Sequence, residues 1–172
     1  MTYSEHVRII RKAIIAGVIS CKSKIDEIGK FPRGTSRING IAVEIIPFEK
    51  IFSIHFRDFD DQRDESYADW KYWQLYNGAE DNAPLLESLV TEYEESEDRE
   101  KYMLMLGTAV AEALLCDEVV NILKSYSMAE FFVLNDLGGD PFDFVVLDLD
   151  RCIDANFCEI IKWKRNICKE AL

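Results

Sequence analysis

Residues 41–57 read IAVEIIPFEKIFSIHFR, and this stretch decides the fold. Two runs rich in β-branched and aromatic residues, 41–46 and 51–57, lie on either side of Pro47-Phe48-Glu49-Lys50. Such runs favour β-strands, and a short break that contains proline favours a turn. The stretch therefore predicts an antiparallel hairpin.

The second run of this hairpin alternates between apolar and polar residues. Because the side chains of a strand point to opposite faces in turn, one set is expected to face the core and the other set to face away from it. The core set is Phe52, Ile54 and Phe56, and the other set is Ser53, His55 and Arg57. No nucleophile motif surrounds His55, so we expect a structural or surface role for it.

A long helix is expected upstream of the hairpin. Apolar residues recur at three- and four-residue steps over residues 7–28, which is the period of an amphipathic helix. Thr2 and Glu5 are spaced as a capping box, and Gly29 is a typical stop signal. The sequence therefore predicts one helix over residues 2–28, followed by a loop.

Downstream, residues 69–76 read DWKYWQLY, and an Asn-Gly pair follows them. Aromatic density before such a turn predicts a third strand. Pro84 can open a helix, and Ser96 can cap a second helix that runs to Leu123. These two helices are expected to form a hairpin.

Residues 130–134 and 142–149 are expected to form two further strands, with a closing helix or strand over residues 156–168. Strands and helices that occur in separate blocks are typical of α+β proteins. We therefore predict an α+β fold with a largely antiparallel sheet of about five strands, a long N-terminal helix and a helical hairpin packed on one face. The length of 172 residues suits a single globular domain over residues 1–172.

Acidic residues outnumber basic ones by 32 to 20, which gives a formal net charge of −12. Phosphate recognition needs clustered lysine and arginine, so this balance argues against nucleic acid and membrane as partners. Charged residues interrupt the N-terminal segment, so no signal-peptide core is expected and we predict a cytoplasmic protein. The 5 cysteines form no Cys-x-x-Cys pair, which argues against a disulfide framework or a zinc ribbon.

Acidic residues concentrate in three tracts. The first includes Asp58, Asp60, Asp61 and Asp64, the second surrounds Glu94, and the third surrounds Asp140. Residues 1–40 hold eight basic and three acidic residues, so their net charge is +5 and the rest of the chain carries −17. Such an anionic surface attracts and orients a basic partner, so we predict that these acids bind one. The alternative is a solvated surface that keeps the protein soluble.

Trp70 and Trp73 lie in the predicted third strand, between two acidic tracts. Proteins that bind nucleic acid stack bases on such residues, but they interleave them with basic residues, and here only Lys71 is present. Trp70 and Trp73 are therefore expected either in the core of the sheet or as anchors of a protein interface.

A metal site is another possible use of the acids. Residues 58–69 have acids at the first and third positions of a calcium loop, but Arg63 stands where such a loop needs glycine and Asp69 where it needs glutamate. Asp148 and Asp150 would project the same way from a strand and could hold magnesium. A structural role for these acids is the simpler interpretation. We therefore predict no metal, no cofactor and no enzymatic activity.

Residues 134–144 read LNDLGGDPFDF and contain Gly139-Asp140-Pro141-Phe142. This stretch resembles the late Gly-Asp-Pro-Phe strand motif of the SUKH superfamily, whose bacterial members are commonly immunity proteins for polymorphic toxins. In size, acidity and element order the chain is also similar to other small acidic bacterial immunity proteins, including those of contact-dependent inhibition systems. The resemblance implies an immunity function and assigns no individual site residue.

Together, the acidity and the resemblance lead to a functional hypothesis. The chain is expected to be an intracellular immunity or inhibitor protein whose acidic surface binds and neutralises a basic toxin domain, for example a nuclease. Two alternatives stay open, namely a non-enzymatic adaptor or regulatory protein-interaction module and a carboxylate-metal enzyme. The sequence identifies neither the toxin nor the oligomeric state.

Overall fold

The computed structural model describes residues 1–30, 32, 37–61, 69, 71–114, 116–126, 132–136 and 144–146. Its helices are α1 (Tyr3–Ser20), α2 (Lys22–Ile28), α3 (Ala83–Glu95), α4 (Arg99–Leu114) and α5 (Asp117–Ser125). Its strands are β1 (Ile38–Ile46), β2 (Ile51–Asp58), β3 (Tyr72–Asn77), β4 (Phe132–Asp136) and β5 (Phe144–Val146). The fold is α+β with a long N-terminal helix, as predicted.

The hairpin that the sequence predicts is confirmed. β1 and β2 pair antiparallel from Ile38 opposite Asp58 to Ile46 opposite Ile51, and a single 3-10 turn over Pro47–Glu49 joins them. β3 pairs antiparallel with the other edge of β2. Within the described residues the strand order is β3-β2-β1-β4-β5, in which β4 runs parallel to β1 and antiparallel to β5.

The N-terminal capping box is confirmed, but the first helix is shorter than predicted. Thr2 Oγ1 accepts a hydrogen bond from the Glu5 N–H at 3.3 Å, and the Thr2 N–H donates to Glu5 Oε2 at 2.7 Å. α1 ends at Ser20, whose hydroxyl donates to Gly17 O at 2.7 Å, and Cys21 separates it from α2. Val18 and Ile25 stay buried on either side of the break, and Cys21 is buried at it, so the apolar period continues across the break.

The second predicted helix is likewise divided. α4 ends at Leu114, and Cys116 adopts an extended conformation before α5 begins. The N-terminus of α4 is capped by Asp98, which accepts a hydrogen bond from the Lys101 N–H at 3.0 Å, and not by Ser96 as predicted. α4 packs mainly against α1 and less against α3.

The core lies between α1 and one face of the sheet, where Phe52, Ile54 and Phe56 are buried as predicted. Gly17 allows this close packing. A Cβ atom at Gly17 would lie 2.6 Å from Ile54 Cδ1 and 2.8 Å from the Tyr76 ring, distances that real Cβ atoms do not adopt. The missing side chain at residue 17 therefore lets α1 approach β2 and β3 this closely.

The opposite face of β2 is not at the surface, which excludes a surface position for His55. Ser53, His55 and Arg57 are as well buried as the apolar residues that alternate with them. Glu44 of β1 is opposite Ser53 in register and is buried with them. Both faces of the central hairpin therefore lie inside the protein.

No helix in the described part of the chain is long and apolar enough to cross a membrane.

Candidate functional site

The acidic tract after β2 begins with Asp58, whose side chain is 0% exposed. Arg37 donates to it twice, from Nη2 to Oδ1 at 2.7 Å and from Nε to Oδ2 at 3.3 Å. Burial raises the pKa of Asp58, but the hydrogen bonds from Arg37 and the Asp60 N–H, with the charges of Arg37 and Lys71, outweigh it and leave the pKa lowered. The fold thus holds Asp58 ionised and neutralises its charge internally.

The next two acids of this tract also have internal partners. Asp60 is 73% exposed and pairs with the same Arg37 guanidinium. Asp61 Oδ2 accepts the Asp58 N–H at 2.8 Å and the Lys71 N–H at 3.3 Å, so it ties the end of β2 to the start of β3. Asp64 lies outside the described residues. Arg37 therefore weakens the field of the described acids toward an external partner.

Trp73 is half exposed on β3. Its ring lies nearly parallel to the His55 ring, with centroids 6.1 Å apart and an interplanar angle of 29°. One face of the indole is thus occupied by a residue of the same sheet, while 49% of the residue stays accessible. Trp73 is therefore not a fully buried core residue, and its role as an interface anchor stays a prediction. Trp70 lies outside the described residues.

A buried polar group lies on the same sheet face as His55. Ser53 Oγ donates to Glu44 Oε2 at 2.7 Å, and His55 Nε2 lies 3.1 Å from Ser53 Oγ and 3.3 Å from Glu44 Oε2. The other ring nitrogen, Nδ1, accepts the backbone N–H of Gln74 at 2.9 Å. These contacts bring together a serine, a histidine and a carboxylate, the residue types of a hydrolase triad.

The direction of these hydrogen bonds is wrong for a nucleophilic serine. Because Nδ1 accepts a backbone N–H, the neutral His55 ring carries its proton on Nε2 and donates toward Ser53 and Glu44. A general base must instead accept the serine proton at Nε2 and have its acid partner on Nδ1. This arrangement fixes the β2–β3 contact, and it does not activate Ser53.

The second acidic tract differs from the first because its acids are exposed. We call the residues where α3 ends and α4 begins the acidic junction, and its acids are Glu94, Glu95, Glu97, Asp98 and Glu100. Among the described residues, no lysine or arginine lies within ion-pair distance of them. Their charges therefore face solvent without an ion pair to another described residue.

Glu92 is close to the acidic junction but is not part of its free charge. Its Oε2 lies 2.7 Å from His6 Nε2, and its Oε1 accepts from the Met1 amino group at 2.6 Å. Tyr102 is within 3.4 Å of Oε2, and burial together with the Glu92 charge raises the pKa of that phenol. Glu92 thus joins the start of α1 to α3 and α4.

The acids at the end of α3 are placed against the helix dipole. The carboxyl end of a helix carries partial negative charge, so acids there cost about 0.3–1 kcal/mol each at the surface. Glu94 and Glu95 occupy the last turn of α3, and that turn contains no basic residue. Their placement opposes helix stability.

An aromatic pair adjoins the acidic junction. Phe48, in the turn between β1 and β2, is 51% exposed, and its ring centroid lies 5.9 Å from that of Tyr93 in α3. The guanidinium of Arg99 lies over the Tyr93 ring at 5.2 Å. Sequence reasoning missed this pair because Phe48 reads as a turn residue, although an apolar side chain in a turn is itself a signal of exposure.

The remaining sites proposed from sequence lie outside the described residues. Asp140, the Asp148 and Asp150 pair and most of the calcium-like loop fall there. In the part of the chain that the structure describes, no three histidine, cysteine, aspartate or glutamate side chains cluster as metal ligands do.

Comparisons with known proteins give no match. No family model matches the chain, and neither a curated protein nor a solved structure is similar to it at a significant level. The resemblance to SUKH proteins therefore stays a prediction.

Proposed function

We propose that this chain is a non-enzymatic immunity or inhibitor protein that acts in the cytoplasm by binding and neutralising a basic toxin domain. The proposal takes residues 1–172 as one domain, in which a helical hairpin on one face of a sheet of about five strands presents acids to the partner. The observation that carries it is the acidic junction, whose exposed acids form no ion pair with another described residue. Domains that act on nucleic acid are commonly basic, so carboxylates can cover their phosphate-binding surface.

The helix dipole supports the same proposal. Glu94 and Glu95 reduce the stability of α3, so stability does not account for their position. Residues that a fold keeps at a cost are commonly those that function requires. The first acidic tract is a weaker candidate because Arg37 already pairs with Asp58 and Asp60.

The test compares two pairs of substitutions with the same change of charge. Glu94→Gln with Glu95→Gln is expected to raise the free energy of unfolding by about 1 kcal/mol and to slow association with the partner several-fold. Glu80→Gln with Glu87→Gln changes exposed acids before and early in α3. This control pair is expected to leave the association rate nearly unchanged.

The measurement needs the partner, which affinity capture from the native cell supplies. The captured domain should be basic, the chain should inhibit its activity stoichiometrically, and salt should slow their association. A captured partner that is acidic, or whose activity the chain leaves intact, would show an adaptor or regulatory module instead. Equal effects of the two variant pairs would remove the acidic junction from the interface.

A further inference from the structure

Phe48 and Tyr93 form an aromatic surface that can make short-range contacts with a partner, in addition to the long-range attraction of the acids. Phe48 is half exposed beside Tyr93, and the Arg99 guanidinium already lies over the Tyr93 ring. Guanidinium groups bind aromatic faces through the negative face of the ring and through stacking, and lysine does so less well. The surface therefore already holds a bound cation that belongs to the chain itself.

The charges around Phe48 and Tyr93 also favour a cationic ligand. Glu49 is exposed next to Phe48, and Glu94 and Glu95 follow Tyr93 in α3. A guanidinium stacked on an aromatic ring can also donate hydrogen bonds to carboxylates at the rim. Aromatic residues surrounded by polar groups are typical centres of protein interfaces. The chemistry on this surface is therefore complementary to arginine.

Arg99 is itself unfavourably placed. It is the first residue of α4, where the helix dipole disfavours a positive charge. Its contact with the Tyr93 ring compensates for that position. A cation from another molecule can compete for the same ring.

We propose that Phe48 and Tyr93 form an arginine-accepting site at the edge of the acidic junction, and that Arg99 is an internal competitor for it. The occupant is an arginine on a basic segment of a partner protein. This inference rests on the proposed function and adds the side chain that the partner contributes and the residues that receive it.

The test uses the full chain and two labelled peptides of equal length and charge, one alternating arginine with glycine and the other alternating lysine with glycine. Fluorescence anisotropy gives the dissociation constant of each. Stacking predicts that the arginine peptide binds about three-fold more tightly than the lysine peptide. Equal affinities would overturn the inference and would leave an anionic surface that binds any basic segment.

Arg99→Ala supplies the sharper measurement. Removal of an internal competitor is expected to tighten binding of the arginine peptide about three-fold. The matched control is Lys22→Ala, because Lys22 also lies over a tyrosine ring, that of Tyr126, at 5.6 Å. The start of α1 lies beside α3, where the Met1 amino group pairs with Glu92, and Lys22 follows the far end of α1, about 27 Å along the helix from that start. Screening therefore leaves the charge of Lys22 little effect at the site. An equal gain in both variants would mean that net charge alone is responsible.

Phe48→Ala is expected to weaken binding of the arginine peptide about three-fold and to leave the lysine peptide unaffected. Phe59→Ala is its control, because Phe59 is also exposed and lies between Asp58 and Asp60 in the tract that Arg37 neutralises. Unchanged binding by Phe48→Ala would overturn the inference. Sedimentation of the chain without peptide tests a second copy as the occupant, and self-association that Phe48→Ala abolishes would also overturn it.

These outcomes separate the inference from the proposed function. If Glu94→Gln with Glu95→Gln weakens both peptides while Phe48→Ala and Arg99→Ala change neither, the acidic junction still binds basic partners but contains no arginine site. If the glutamine variants change nothing, the proposed function fails with the inference.

Discussion

Asp58 shows why a count of acids does not locate a binding surface. The sequence places it in an acidic tract, but its counter-ion, Arg37, lies 21 positions earlier and approaches only when β1 pairs with β2. Local sequence carries no signal of that contact. Glu94, by contrast, was proposed from its local charge density and is exposed, because its neighbours in sequence are also its neighbours in space.

Asp58→Asn is expected to lower the free energy of unfolding by about 2 kcal/mol at neutral pH, because it leaves the partly buried Arg37 without its main counter-charge. A carboxyl whose pKa is lowered in the folded state contributes stability above its unfolded pKa of about 3.9 and loses it as pH falls through the folded value. The wild type should therefore lose stability below about pH 4, and the variant should lose less. Urea denaturation across this pH range measures both.

Asp60→Asn is the matched control for this change. Its carboxylate pairs with the same guanidinium but is largely exposed, so the loss should stay below about 1 kcal/mol. Equal losses in the two variants would contradict a structural role that is specific to Asp58.

At the scale of elements, the sequence predicts those features that neighbouring residues encode, such as the alternation of a strand and the cap of a helix. The alternation of residues 51–57 predicts β2, and the spacing of Thr2 and Glu5 predicts the start of α1. The breaks at Cys21 and Cys116 were not predicted, because apolar residues keep the helical period across both. The burial of the polar face of β2 was not predicted either, since it depends on what packs there and not on the strand's own pattern.

The bulge in β3 is the element whose geometry the sequence predicts least. The register shifts between Ile54 and Phe56, and Gln74 on the facing strand has a φ of 48°, in the left-handed region. Glutamine is not favoured there, so nothing in the sequence marks the position. The Gln74 N–H is turned toward His55, which accepts it. The buried histidine thus compensates for a strained backbone.

Gln74→Gly is expected to raise the free energy of unfolding by about 0.5 kcal/mol. Relief of the strained left-handed conformation stabilises the folded state by about 1–2 kcal/mol. The greater backbone entropy of glycine in the unfolded chain offsets about 0.5–1 kcal/mol of this. Leu75→Gly, at the next position of the same strand, should instead destabilise by about 1 kcal/mol or more because it only removes a side chain. Chemical denaturation measures the free energy of unfolding of both variants. A large decrease in Gln74→Gly would contradict the prediction and show that the glutamine side chain stabilises β3.

At the scale of the whole molecule, the distribution of charge along the chain and the position of the apolar core are two different features. The N-terminal 40 residues carry a net charge of +5, and the remaining chain carries −17. The core is apolar and draws on α1, α4, α5 and both strands of the central hairpin. The fold class could be predicted because it depends on the order of helices and strands. Which acids remain unpaired at the surface could not be predicted, because that depends on the ion pairs that form after folding.

The fold is expected to need neither a disulfide nor a metal. A chain of 172 residues can bury enough apolar surface to be stable without them. Cys21 lies in the core as a free thiol, and burial raises its pKa to about 11, so it stays protonated at neutral pH. Thermal melts with and without reductant, and with and without chelator, should therefore coincide.

Cys21→Ser should lower the midpoint of the thermal melt under every condition, because it puts a more polar group into the same buried position. A midpoint that falls with reductant in the wild type, and is insensitive to reductant in a cysteine-free variant, would contradict this prediction and show that a disulfide supports the fold.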